Sequence, residues 1–252
     1  MNIDATTYRS KQGFDSRIRF LVMHYTAGDF AASTQALTGL RVSAHYLVPD
    51  PNDASYLQAG FSGVRVFNLV DEADRAWHAG VSAWRGRGNL NDTAIGIEIV
   101  NCAHEADGQL VFTPFDNQQI EAVKNLALDI LQRYPSIEPI NVVGHSDIAP
   151  TRKNDPGPLF PWKLLAEAGV GPWYDEATKA RFSQQYGLAG VDPRSVVQQL
   201  GRYGYDVSAA ATAEGMKALF RAFQMHYRPS NYDGVLDVET TAILAALLDK
   251  YC

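Results

Sequence analysis

The chain has little sulfur, no long apolar stretch and no run of basic residues. Its two cysteines, Cys102 and Cys252, stand far apart and supply neither a disulfide framework nor the thiolate cage of a structural zinc site. The longest apolar runs, FLVM and AILAALL, fall far short of the roughly 20 residues a membrane-spanning helix needs, so no membrane span is expected. The opening MNIDATTYRS lacks the basic and apolar regions of a secretory signal. No Lys/Arg run is interleaved with aromatics, and 22 basic against 28 acidic residues give a net charge of −6, which excludes a nucleic-acid footprint. What is present is ordinary globular composition: 252 residues, 46% hydrophobic and 20% charged, enough for one large domain or a medium one with a small one.

Five short segments rich in Val, Ile and aromatics read as strands: 17–25, 43–48, 64–70, 94–101 and 140–146. The clearest helix is 113–134, with Thr113 as its expected cap, Pro114 in the first turn and an apolar stripe of Ile120, Val123, Ala127, Ile130, Leu131 and Tyr134 before Pro135 stops it. Strands mixed with helices predict an α/β fold, a mixed central sheet flanked by helices, over residues 1–186. After GLAGVDP (187–193) the pattern turns helical. Three segments follow: one opened by Asp192 and Pro193 and closed by Gly204, one through Met216 to Tyr227, and one from Asp237 to the end, with a turn at Asp233 and Gly234. Residues 187–252 are therefore either a small three-helix second domain or a helical extension packed on the first.

Chemistry concentrates in three places. His24 in FLVMHYTAG and His145 in INVVGHSDIAP each end an apolar strand, and Asp155 lies in a proline-stiffened loop, RKNDPGP. Two imidazoles and one carboxylate suit an open zinc site, which leaves one position for water, acidifies it and polarises a carbonyl. Spacing alone leaves open that the three are unrelated, and no HExxH pair joins them. Glu98 in IGIEIV lies on the strand face opposite Ile95, Ile97 and Ile99. It is either a general base with its pKa raised by desolvation or a half-exposed strand carboxylate with a partner. Lys153, two residues before Asp155, is either an oxyanion-stabilising cation or a solvated loop lysine.

HYTAG, SAHYLV, AWHAGVSAWRG, LNDTAIGIEIVN and GHSDIAPTRKNDPGP, in this order, resemble the zinc-dependent N-acetylmuramoyl-L-alanine amidases of the type 2 amidase family, related to peptidoglycan recognition proteins. The resemblance covers roughly residues 15 to 170. It implies Zn²⁺ as cofactor on His24, His145 and Asp155, Glu98 as general base and Lys153 as transition-state stabiliser. The reaction it implies is hydrolysis of the amide between N-acetylmuramic acid and the L-alanine of the stem peptide. The alternative is a recognition protein that binds muropeptides without cutting them. His45, Tyr46, His78 and Trp84 fall in these motifs and are candidate substrate-binding residues, with core packing the competing role for Tyr46 and for Trp77, and ligand orientation for His45 and His78. His104 and His226 match no ligand position and are expected to be structural or exposed.

Residues 187–252 resemble a peptidoglycan-binding domain of the three-helix type, carried by VVQQLGRYGYDVS, ALFRAFQ and DGVLDVETTAILAAL; LDVET departs from the usual FGPAT-like stretch. The partners implied are peptidoglycan or muropeptides. A wall-cutting enzyme belongs in the periplasm or outside the cell, and a cytoplasmic recycling role is the alternative.

Overall fold

The computed structural model describes residue 3, residues 17–107 and residues 109–252. Apart from residue 3, the segment MNIDATTYRS, on which the absence of a secretory signal was read, lies outside the described residues. Strand β1 (Phe20–Tyr25) is followed by α1 (Phe30–Leu37), β2 (Tyr46–Val48), α2 (Ala54–Gln58) and β3 (Phe67–Asn68). A hairpin of β4 (Ala83–Trp84) and β5 (Arg87–Gly88) precedes β6 (Ala94–Ile99), and a second, β7 (His104–Ala106) with β8 (Gln109–Val111), precedes α3 (Asn117–Arg133). The chain then passes through β9 (Val142–Gly144), α4 (His145–Ile148), α5 (Trp162–Glu167), α6 (Glu176–Ala189), α7 (Pro193–Tyr203), α8 (Ala213–Tyr227) and α9 (Val238–Tyr251).

The five predicted strands all join one sheet, in the order β3-β2-β6-β1-β9, parallel except for β3 on β2. Its central strands are apolar on both faces, as parallel strands covered on two sides must be. Leu21, Met23, Ile95, Ile97, Ile99 and Val142 face α3, which covers them with Ile120, Val123, Ala127 and Ile130. The cap of α3 is Asp116, whose carboxylate accepts from Gln118 N and Gln119 N, so the helix begins later than the expected Thr113.

Phe20, Val22, Ala94 and Val143 point to the other face and share a single core with Val196, Leu200, Tyr203, Leu219, Phe223, Ile243 and Leu247 of α7, α8 and α9. The three C-terminal helices thus pack directly on the sheet. Their caps fall at Asp192, Thr212 and Asp237. Each such side chain, fully buried, contributes roughly 1.5–3 kcal/mol, so several together hold the two parts far more firmly than a linker would. Backbone joins them too: Arg85 N donates to Gly204 O over 2.8 Å, and Trp84 bridges Tyr205. The position expected to divide the chain, 186/187, falls inside α6. That helix buries no residue and has no apolar stripe to betray it; it lies along α9 through the Lys179–Glu239 and Arg181–Asp249 ion pairs.

Candidate metal centre

His24 lies near the carboxyl end of β1, and His145 opens α4 directly after β9, its neighbour in the sheet. The loop from 149 to 158 returns Asp155 between them. His24 Nδ1 is 3.0 Å from His145 Nδ1 and 2.9 Å from Asp155 Oδ2, and His145 Nδ1 is 3.1 Å from the same oxygen. All three residues are buried. Three donor atoms in a triangle about 3 Å on a side match one face of a tetrahedral zinc site, whose bonds to N and O are about 2.0–2.2 Å.

Each imidazole is held by its outer nitrogen. His145 Nε2 donates to the Ala79 carbonyl (3.0 Å), which leaves its Nδ1 lone pair facing inward, and His24 Nε2 lies 3.0 Å from His78 Nδ1. Arg152 Nη2 also donates to Ala79 O and Val81 O. Asn91, in the turn before β6, fixes the segment that supplies both contacts: its Oδ1 accepts from His78 N (3.0 Å) and Ala79 N (2.7 Å). A Cβ at Gly96 would fall 2.5 Å from the His78 ring, so only glycine admits that ring against β6. Burial and the neighbouring His145 push the His24 pKa down to about 4. Burial would raise Asp155, but the His145 and His24 imidazoles hold its carboxyl well below the usual range. Neutral imidazole and ionised carboxylate are the forms a cation requires.

Glu98 stands beside His24 in the β1–β6 register. Its Oε2 is buried and has no hydrogen-bond partner among the described residues. Burial, then the charge of Asp155, raises its pKa well above the ordinary carboxyl value, against the pull of Lys153. Two clefts lie beside this group, neither of them lined by His24, His145 or Asp155. One, of about 260 Å³, is lined by Glu98 with Ala32, Ser33, Ala36, Leu37 and Val42; the other, of about 340 Å³, is lined by Lys153 with residues of the 150–154 loop and of α8.

Of the candidate substrate-binding residues, His78 takes the orienting place offered as its alternative, and the other three are packed into the fold. His45 is fully buried, its Nδ1 accepting from Gly96 N (3.0 Å). His78 is spent on His24. Tyr46 packs on the α3 face of the sheet, away from His24, His145 and Asp155, and donates to Glu72 (2.8 Å). Trp84 is core: its Nε1 donates to Ile140 O (3.1 Å) and its ring meets Tyr203 and Tyr205. Trp77 is the reverse case, 56% exposed beneath the Arg75 guanidinium.

Sequence reasoning passed over Asp147, two residues after His145. Buried in α4, it accepts from Gly144 N (2.7 Å), Tyr205 Oη (2.6 Å) and His226 Nδ1 (2.7 Å). His226, from α8, is sandwiched by stacking on Trp162 at 3.8 Å and Tyr227 at 3.9 Å. The C-terminal helices therefore grip the turn that presents His145.

The profile of a family described as N-acetylmuramoyl-L-alanine amidase (Amidase_2) matches residues 14–158. N-acetylmuramoyl-L-alanine amidase AmiD of Escherichia coli is 48% identical over 97% of this chain and 87% of that protein. A crystal structure of AmpDh3 from Pseudomonas aeruginosa in complex with anhydromuramic pentapeptide aligns over 100% of this chain and 99% of its own, with TM-score 0.96 and 56% identity. The E. coli AmiD complex with the substrate anhydro-N-acetylmuramic acid-L-Ala-D-γ-Glu-L-Lys aligns over 97% of this chain and 94% of its own, with TM-score 0.86 and 47% identity.

Proposed function

The chain belongs to the N-acetylmuramoyl-L-alanine amidase family, an enzyme family, and from that premise we propose a zinc-dependent hydrolysis of the amide joining N-acetylmuramic acid to the L-alanine of the stem peptide. The observation that carries this reading is the unpartnered Glu98 Oε2 beside a triangle of two Nδ1 atoms and one carboxylate oxygen. A buried carboxylate without a partner is costly to the fold, and a proton acceptor next to a hydrolytic centre accounts for it. All three donors and Glu98 are in place, which weighs against a protein that recognises muropeptides without cutting them.

His24, His145 and Asp155 would hold the zinc ion, which when bound would supply Lewis acidity and an acidified water near neutral pH. Glu98 takes the proton from the attacking water at Oε2 and returns it to the leaving alanine nitrogen; its raised pKa suits both directions. Lys153, half-buried and electrostatically coupled to His24 and Glu98, stabilises the oxyanion as the carbonyl becomes tetrahedral. Ala79, His78 and Asn91 keep the imidazoles aimed.

Two finer readings accompany this one. Residues 187–252, with the pattern of α7 to α9, act as a peptidoglycan-binding unit that keeps the enzyme on its polymer. The enzyme works where that polymer lies, in the periplasm or outside the cell; among the described residues no helix is long and apolar enough to cross a membrane. The test is mass spectrometry of purified sacculi treated with the full chain. Release of stem peptides beginning with L-alanine, abolished by a chelator and restored by zinc, is expected; binding to sacculi without release would overturn the reading.

A further inference from the structure

We infer that a polar pocket at the end of the sheet remote from the metal centre binds a phosphate group. The pocket, of about 260 Å³, is lined by Arg19, Arg85, Arg87, Ser136, Glu138 and Asn141. Arg19 precedes β1 and Asn141 precedes β9, so both stand at the amino ends of parallel strands whose carboxyl ends carry His24 and lead into His145. Five residues of extended chain separate Arg19 from His24, about 16 Å at roughly 3.3 Å per residue. The pocket therefore lies outside the hydrolytic centre, and its assignment does not rest on the amidase reading.

Three guanidiniums meet there against one carboxylate, in a chain whose net charge is −6. Such a local concentration of the opposite sign focuses its field on the pocket and draws an anion. Arg19 is half-buried and already engaged within the protein, so the open donors are those of the β4–β5 hairpin. Arg85 Nη1 donates to Glu138 Oε2 (2.5 Å) and lies 3.4 Å from Asn141 Oδ1, which fixes the guanidinium; its Nε and Nη2 meet no acceptor among the described residues. Arg87 is exposed and has no partner among the described residues. Ser136 and the buried Asn141 add neutral donors from the connection between α3 and β9.

The hairpin itself carries the second observation. Trp84 pairs with Arg87, so Arg85 and Gly86 form a two-residue turn, and both have positive φ, 48° and 74°. A turn of this kind favours Asn-Gly, and an arginine is held in the left-handed region against its preference. A disfavoured residue kept at a turn points to a role for its side chain. Donors that approach from separate elements suit a tetrahedral group, which presents oxygens in several directions, better than a planar carboxylate. Guanidinium is also the side chain that pairs with phosphate oxygens two at a time.

The experiment is calorimetric titration of the full chain at low salt with inorganic phosphate, glycerol 3-phosphate and acetate. The parent is expected to bind phosphate, less tightly as salt rises, and to bind acetate at least roughly tenfold more weakly. Arg87→Gln should weaken phosphate binding at this pocket roughly tenfold. Arg85→Asn should do the same without lowering Tm, because asparagine suits the turn and the exposed ion pair with Glu138 adds little. Thermal unfolding verifies that each variant is folded. Phosphate taken up at the metal centre is common to all three proteins, so a difference between parent and variants belongs to this pocket. Glycerol 3-phosphate binding as well as phosphate assigns the site to a phosphate carried on a larger molecule; binding of inorganic phosphate alone assigns it to the free ion. Equal titrations of parent and both variants, or acetate bound as tightly as phosphate, overturn the inference and leave the amidase reading untouched.

Discussion

His226 Nδ1 donates to Asp147 Oδ2 across 2.7 Å with both side chains buried, so a residue of α8 fixes the helical turn that begins with His145. Asp147 also accepts from Tyr205 Oη and from Gly144 N at the start of that turn. The amidase centre and the C-terminal helices are thus mechanically one object. His226→Ala removes a donor from a buried carboxylate and a ring stacked on Trp162. It should cost about 1–3 kcal/mol, a fall in Tm of roughly 2–4 °C per kcal/mol for a chain of this size. Thermal unfolding checks the stability term, and a zinc titration against the parent checks whether the loss reaches His145. An unchanged Tm would mean that α8 merely rests on the turn.

Asn91 does for the other side of the centre what His226 does for α4. Its single Oδ1 holds the backbone of both His78 and Ala79, and these two residues hold the outer nitrogens of His24 and His145. Asn91→Ala should weaken zinc binding about 10- to 100-fold, the usual range for groups that orient metal ligands. Asn91→Asp keeps the acceptor and should recover most of the affinity. Competition with a chromophoric chelator measures both; equal loss in the two variants would show that size, not the accepted hydrogen bonds, matters.

Glu98 separates stability from activity. Its folded pKa is raised by burial, so the carboxyl favours the folded state only while protonated, and that contribution is lost as pH rises from the unfolded value through the folded one. Chelator-treated Glu98→Gln should therefore be more stable than the parent at neutral pH and indistinguishable from it well below the unfolded carboxyl pKa. Turnover of the zinc-loaded variant should fall on the order of 10²- to 10⁴-fold. Melting curves across pH and initial rates on muropeptide are the measurements, and a variant that turns over normally would remove Glu98 from the proton transfer.

How far the sequence could be read follows from periodicity. β1, β6 and β9 are continuous apolar runs, so the sheet was legible, and α3, α7, α8 and α9 announced themselves by apolar stripes, with Asp192 and Gly204 bounding α7 and Asp237 opening α9. Helix α6 was not legible, because it fully buries no residue and shows no apolar stripe, although it packs along α9 and pairs charges with it. At the centre, ligand residues stand out by chemical type in otherwise apolar segments, whereas the groups that orient them do so through contacts no spacing encodes. Asp147 lies inside GHSD and Asn91 inside LNDTAIGIE, yet their roles depend on Tyr205, His226 and the backbone of residues 78–79. Tyr46 and Trp84 stood in the motifs as candidate substrate-binding residues. Strand register turns Tyr46 to the α3 face, and the C-terminal helices bury Trp84.

Gly96 offers the sharpest steric test of this arrangement. It lies in β6 two residues before Glu98, and its missing side chain is the space the His78 ring fills. Gly96→Ala places a methyl group 2.5 Å from that ring, so either His78 withdraws from His24 or the strand shifts and carries Glu98 with it. Overpacking of this kind costs about 1–3 kcal/mol. The companion change Gly88→Ala, whose nearest neighbour stands 3.7 Å away, should be neutral. Gly96→Ala should lose both zinc affinity and stability while Gly88→Ala loses neither. If Gly96→Ala kept the parent's zinc affinity, the His24–His78 contact would not be what aims the first metal ligand.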